Sequence, residues 1–232
     1  LYADGTTCVH EPAPTRDHTE RMLRAFGYAV DSADGAASVR GGGVLHAASI
    51  AVPADLSSAA FFLVGAAIAP GSDCVLTGVG TNPSRRGVLD ILRAMGADIT
   101  VLDERRAGDE PVADLRVRAG ALRGVDIGAH EVALAIDEIP ALAVAAACAQ
   151  GTTRIRGAHE LRVKESDRIA AIVAGLRAMG IACEDFPDGL DIHGGTLRGG
   201  TVDSVGDHRI AMAFAMAALR ASAPVRVRDC DN

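Results

Sequence analysis

Three near-copies of one pentapeptide punctuate the chain: LRAFG at 23–27, and LRAMG at 92–96 and again at 176–180. Recurrence on this scale restricts the chain to a few similar units, and each copy closes an amphipathic helix. In the third, Ile169, Ile172, Val173, Leu176 and Met179 fall on one helical face, and Gly180 stands where a left-handed C-cap belongs. In the second, Val88, Ile91, Leu92 and Met95 form the stripe, with Asn82 and Ser84 beside Pro83 as N-cap candidates. Asp17, three residues ahead of Glu20, predicts a capping box for the first.

A glycine turn and a short strand precede each of these helices: GTTCVHEP from Gly5, GSDCVLTG from Gly71 and GTTRIRGA from Gly151. Strands follow each, and the near-copies DGAASVRGG and DGLDIHGG carry Asp-Gly as a hairpin signal. A second kind of helix is rich in alanine and apolar on all sides: SSAAFFLVGAAIA, EIPALAVAAACA and HRIAMAFAMAALRA. Such helices are expected to be buried among neighbours. The unit therefore reads as buried helix, strand, amphipathic helix, strand, strand. The intervals from Gly5 to Gly71 and from Gly71 to Gly151 exceed the roughly 20–50 residues of solenoid repeats. Pseudo-symmetric packing of a few copies around buried helices is the expected architecture, an α/β fold of the α+β type. The pattern opens in the second half of one unit (1–46), holds two whole units (55–120 and 137–199) and starts another at 207. Pro53 marks a linker at 47–56.

Thirty acidic against 23 basic residues give a formal net charge of −7, which argues against generic binding to nucleic acid or anionic membrane. The longest apolar runs fall short of the ~20 residues of a membrane-spanning helix. Five scattered cysteines without a CxxC pair suit a reducing cytoplasm, and the histidines form no metal-binding motif. No secretion leader opens the chain, and LYADG reads as the tail of an earlier helix, so a piece of a longer protein is expected.

Of the 23 basic residues, 22 are arginine, and the single lysine is Lys164, inside ELRVKESDRIAA. Drift towards arginine would leave one lysine anywhere, whereas a compact ammonium is something arginine cannot supply. The apolar helices all open with polar residues: Asp55, Ser57 and Ser58; Asp137 and Glu138; Asp207, His208 and Arg209. Ordinary capping accounts for Asp and Ser singly. Three equivalent helices pointing the same way would also aim their positive ends at one surface, which makes an anion site. With Ser166 as N-cap, Lys164 and Glu165 would lie just outside a helix, and Arg168 in its first turn. A cation there is unfavourable unless an anion is near, either Glu165 three residues away or a ligand. Arg209 repeats the oddity. Two such arginines and one unique lysine point to a phosphate or polycarboxylate ligand, with Asp137 and Glu165 within reach as acid and base.

In order along the chain, PTRDHTERML, VPADLSSAAFFLV, IDEIPALAVAAA, ELRVKESDRI and GDHRIAMAFA resemble the EPSP synthase family. The resemblance covers essentially the whole chain. It implies two similar domains, each of three βαβαββ units, with the active site between them: residues 1–52 would finish the first domain and 53–232 form most of the second. The implied reaction transfers the enolpyruvyl group of phosphoenolpyruvate to the 5-hydroxyl of shikimate 3-phosphate, in aromatic amino-acid biosynthesis. It releases phosphate and uses no metal and no organic cofactor, and the intact protein is expected to be a cytoplasmic monomer.

Carried over residue by residue, Asp137 would hold the shikimate hydroxyls and take the 5-hydroxyl proton, and Lys164 and Glu165 would stand at the reacting carbons. Arg168 and Arg209 would clamp the phosphoenolpyruvate carboxylate, and Arg16 would contact shikimate 3-phosphate. Asp207 and His208 would line the site while organising Arg209. Desolvation favours a protonated Glu165 and Lys164 favours its anion, so the proton roles stay open at this point. The family's lysine-serine-arginine cluster, glycine-rich loop and serine-glutamine loop would precede residue 1, and its last lysine would follow Asn232. The expectation is a half-site with little catalysis of its own. Two other readings share the fold: a non-catalytic anion-binding module, and an enolpyruvyl transferase acting on a UDP-sugar.

Overall fold

The computed structural model describes residues 1–11, 15–33 and 35–230. Pro14 of the first motif and Asp34 of the first Asp-Gly turn lie outside the described residues.

Alternation of short strands with helices builds four small sheets among the described residues. The first contains β1 (Thr6–His10), β2 (Asp31–Ala33) and β3 (Ala36–Arg40), antiparallel in the order β1-β3-β2, with α1 (His18–Ala25) between β1 and β2. After residue 53 come α2 (Leu56–Ile68), β4 (Asp73–Gly80), α3 (Gly87–Ala94), β5 (Asp98–Ala107) and β6 (Glu110–Arg118), whose strands pair antiparallel as β4-β6-β5. The next unit holds β7 (Asp126–Ile127), α4 (Ala129–Ala135), a 3-10 turn at Ile136–Glu138, and α5 (Ile139–Ala147). It continues with β8 (Thr152–Ile155), a second 3-10 turn at His159–Val163, α6 (Arg168–Ala178), β9 (Ala182–Phe186) and β10 (Gly189–His193), ordered β7-β8-β10-β9. Last come β11 (Gly200–Asp203), α7 (His208–Ala217) and β12 (Val225–Arg228).

One element of the unit escapes a reading of the residues alone. A very short strand precedes each buried helix and runs parallel to the strand that follows it. Ala54 bridges Val79, β7 pairs with β8, and β11 pairs with β12. Parallel neighbours need a crossover, and the buried helix is that crossover. The unit is thus βαβαββ. One to four residues are too few to show periodicity, which is why these strands, and α4 beside them, do not stand out in the sequence.

The alanine-rich helices α2, α5 and α7 pack against one another. Every residue of α5 is buried, and α2 exposes mainly Phe62. On α7 the expectation of burial on all sides fails. Only Ile210, Ala213, Phe214 and Ala217 are buried, a single helical stripe, and Met212 stays exposed, because its contacts fall on that one face. The stripes of α3 and α6 are buried as expected, and Gly96 and Gly180 take φ of +91° and +86° just past them.

The helix entrances depart from expectation in three places. On α6 the N-cap is Asp167, accepting from the Ala170 amide at 3.0 Å, and Ser166 turns away to Asp207. Asn82 and Ser84 form a turn of their own, and α3 starts later, at Gly87. Asp17 precedes α1 without capping it: its carboxylate goes to Arg21 and Asn82, so no capping box with Glu20 forms. Long-range partners win over the local cap. They also fasten α1 to the second sheet, since Asn82 reaches Glu110 at 3.0 Å and His18 pairs with Glu110 at 2.7 Å.

Gly175 of α6 lies against the ring of Phe214 on α7, and a Cβ there would stand 2.2 Å from the ring. Gly175→Ala should therefore destabilise the fold by about 1–3 kcal/mol by overpacking, despite alanine's better helix propensity, as measured by urea unfolding.

Candidate active site

Asp137 sits in the 3-10 turn that hands α4 over to α5, where it caps neither helix, so its carboxylate is free to face outward. Four cations from separate parts of the chain meet it. Arg16 donates to Oδ2 at 2.9 Å, and Arg168 Nη1 and Lys164 Nζ lie 3.4 and 3.9 Å from Oδ1. Arg209 donates to the Asp137 carbonyl at 3.0 Å and stands 4.0 Å from Oδ2. Burial alone would raise the pKa of Asp137. The Arg16 hydrogen bond and the charges of Arg209 and Lys164 outweigh it, and hold the carboxyl below its ordinary range.

Behind this cluster, Arg168 is wholly buried. Its Nε donates to Asp207 at 2.8 Å, Nη1 faces Asp137 and Nη2 reaches Glu165 at 2.5 Å. The cation in the first turn of α6 is therefore balanced within the protein, by Glu165 just ahead of the helix and by the N-cap of another helix. Asp207 caps α7 through the Arg209 amide at 2.9 Å and accepts from Ser166 at 3.0 Å. Burial would raise Asp207 as well, yet the Arg168 hydrogen bond and charge, with the Arg209 amide and Ser166, bring it below the usual value. His208 is exposed and makes no side-chain hydrogen bond among the described residues, so it stands apart from this network.

The cluster opens into a cleft of about 460 Å³ lined by Thr15, Arg16, Arg85, Asp137, Glu160 and Lys164, among others. A larger groove of about 570 Å³ between α1 and the first sheet shares Thr15 and Arg16 with it, but lacks the convergent charges. Arg16, Lys164, Arg168, Asp137, Glu165, Asp207 and Arg209 are thus brought together. Sequence reasoning missed Arg85, which pairs with Asp55 at 3.1 Å and with the Ser57 hydroxyl. It also missed Glu160, 2.8 Å from Lys164, although both lie in the motif that drew notice. Glu138, named only as a polar helix entrance, is buried between Ser57 and these arginines. Burial pushes its pKa up, and the Ser57 hydrogen bond offsets only part of that. Neighbouring carboxyls at 137 and 138 are thus driven in opposite directions.

Residues 1–232, the whole chain, match the family profile of EPSP synthase (3-phosphoshikimate 1-carboxyvinyltransferase). The chain belongs to the EPSP synthase family. It is 61% identical over 232 residues to the 3-phosphoshikimate 1-carboxyvinyltransferase of Methylococcus capsulatus, covering all of this chain and 53% of that protein. Identity to the protein of the same name from Legionella pneumophila strain Paris is 54%, over all of this chain and 54% of that one. EPSP synthase from Acinetobacter baumannii superposes with a TM-score of 0.93 at 53% identity, over 98% of this chain and 53% of that chain. The enolpyruvyl transferase NikO from Streptomyces tendae, 22% identical with a TM-score of 0.75 over 97% of this chain and 51% of that one, shares the fold. The chain spans about half the length of the curated relatives it matches.

Replacing Asp207 by asparagine leaves the Arg168 charge buried with weaker compensation. Asp207→Asn should cost about 3–5 kcal/mol in urea unfolding at neutral pH. The folded-state pKa of Asp207 lies below the unfolded one. Its contribution is therefore present above the ordinary aspartate pKa and lost as pH falls through the depressed value. The gap between variant and wild type should shrink below about pH 4.

Proposed function

We propose that this chain supplies one half of the active site for transfer of the enolpyruvyl group from phosphoenolpyruvate to the 5-hydroxyl of shikimate 3-phosphate, with release of phosphate. The convergence of Arg16, Lys164, Arg168 and Arg209 on Asp137, in a member of the EPSP synthase family, carries this reading. Both substrates are polyanions, and a chain of net charge −7 gathers its cations where they would bind.

In this scheme Asp137 anchors the shikimate hydroxyls. With its pKa held low it is ionised at neutral pH and can accept a hydrogen bond from the 5-hydroxyl. A lowered pKa also makes it a weak base, so it takes that proton only as the oxygen adds to C2 of phosphoenolpyruvate and the hydroxyl turns acidic. Glu165 gives a proton to C3, and Lys164 stands beside both as the counter-charge. Loss of a C3 proton together with phosphate then completes the transfer. Arg168 and Arg209 hold the phosphoenolpyruvate carboxylate, and Arg16 the shikimate phosphate. Asp207 fixes both arginines, through the Arg168 guanidinium and the Arg209 amide. For His208 we assign no more than a place at the rim. We infer that residues 1–52 finish one domain and 53–232 form most of another. Five unpaired cysteines agree with a cytoplasmic setting, and we expect the intact protein to be monomeric. No helix among the described residues is long and apolar enough to cross a membrane.

The test exchanges these 232 residues for the aligned segment of the Methylococcus capsulatus relative and follows phosphate release. Turnover is expected with shikimate 3-phosphate and phosphoenolpyruvate together, and Lys164→Arg in that chimera should lower kcat by about 10²-fold or more. The 232-residue chain alone should release little phosphate. Binding of shikimate 3-phosphate without any phosphate release by the folded chimera would replace this reading with an anion-binding module. Competition by a UDP-sugar in place of shikimate 3-phosphate would point to the related transferase.

A further inference from the structure

Two of the cations in this cluster, Lys164 and Arg168, have two kinds of partner. Lys164 lies 3.9 Å from Asp137 and 2.8 Å from Glu160, whose side chain is 59% exposed. Arg168 is divided among fully buried Asp207, partly buried Asp137 and Glu165, which is 54% exposed. The aspartates are tied down. Asp207 accepts from Arg168, Ser166 and the Arg209 and Ile210 amides, and Asp137 is held by Arg16. Beyond their single ion pairs, Glu160 and Glu165 make no other hydrogen bond or ion pair among the described residues.

Exposed ion pairs contribute little to stability, whereas breaking a buried one strands a charge. The glutamates are therefore the partners that can leave. Arg168 has no exposed surface, and the movable group bound to it is Glu165, so an anion reaches its guanidinium only by replacing that carboxylate. At Lys164 the same holds for Glu160. An anion of single charge can replace one glutamate while the other still repels it. A multiply charged anion can replace both.

We propose that Glu160 and Glu165 are displaceable counter-ions that make the cleft selective for multiply charged anions, yielding Lys164 and Arg168 only to a ligand whose own charge takes their place. The identity of that ligand rests on the enolpyruvyl-transfer reading, and the counter-ion role does not.

Lys164 is the sole lysine, so its labelling by trinitrobenzenesulfonate can be read at one residue by peptide mass spectrometry in the 232-residue chain. Glu160→Gln should label several-fold faster than wild type. The control Glu104→Gln/Glu184→Gln, which changes charge outside the cleft, should not. Shikimate 3-phosphate should protect wild type much better than shikimate, which carries one carboxylate, and in Glu160→Gln/Glu165→Gln that preference should narrow. A Glu160→Gln rate no faster than the control overturns the proposal, and so does an unchanged preference in the double variant. Faster labelling with protection by pyrophosphate but not by shikimate 3-phosphate keeps the counter-ions and sinks the substrate reading. Faster labelling with protection by neither anion overturns the claimed selectivity.

Discussion

A guanidinium with no solvent contact, at the first turn of a helix whose dipole opposes it, must find its compensation inside the protein. Arg168 finds it in Asp207, the N-cap of α7, at 2.8 Å. One carboxylate thereby satisfies the orphan amides of one helix and the misplaced cation of another. The entrances of α6 and α7 are locked together, and the rest of the guanidinium is aimed at Asp137 and Glu165. That pair orients the guanidinium to which Glu165 is bound and caps the helix that carries Arg209.

Close packing of the alanine-rich helices supplies the frame for this pair. Small side chains let α2, α5 and α7 approach one another, and a parallel crossover in every unit gives these helices the same direction relative to their strands. Their N-terminal residues are accordingly neighbours: Arg85 ties Ser57 of α2 to the cleft that Asp137 and Glu138 line at the head of α5, and Arg209 of α7 bonds the Asp137 carbonyl. The positive ends of the helix dipoles add to the arginines there. Against its own desolvation, the Arg16 hydrogen bond and the charges of Arg209 and Lys164 lower Asp137, while burial raises Glu138 one residue away.

Charge is used differently on the two sides of the cleft. Inner aspartates are structural anions that keep the cations in place, and outer glutamates are loosely held. The chain can therefore be acidic overall and still offer a cationic floor to a ligand, because its excess negative charge lies elsewhere or on groups that can step aside.

Much of this was legible in the sequence, and the division has a physical basis. Helical periodicity, glycine C-caps and the apolar helices are local properties, so the repeat, its order of elements and the stripes ending at Met95 and Met179 could be read directly. The five motifs identified the family and seven of the eight residues expected in the site came together, with His208 at the margin. Hidden from the sequence was whatever depends on partners far along the chain. Arg16 and Asp137 are separated by 121 residues, and Asp17 abandons its cap for Asn82, 65 residues away. Arg85 carries no local signature, whereas Glu160 stands four residues before Lys164, a spacing that could have flagged it. The sequence by itself determined the longer helices and the apolar stripes of α3 and α6, since those follow from residue spacing. Only the tertiary structure decided that Arg168 is buried, that Asp207 answers it and that Arg16 and Arg209 meet Asp137, because burial and long-range pairing are properties of elements brought together by the fold.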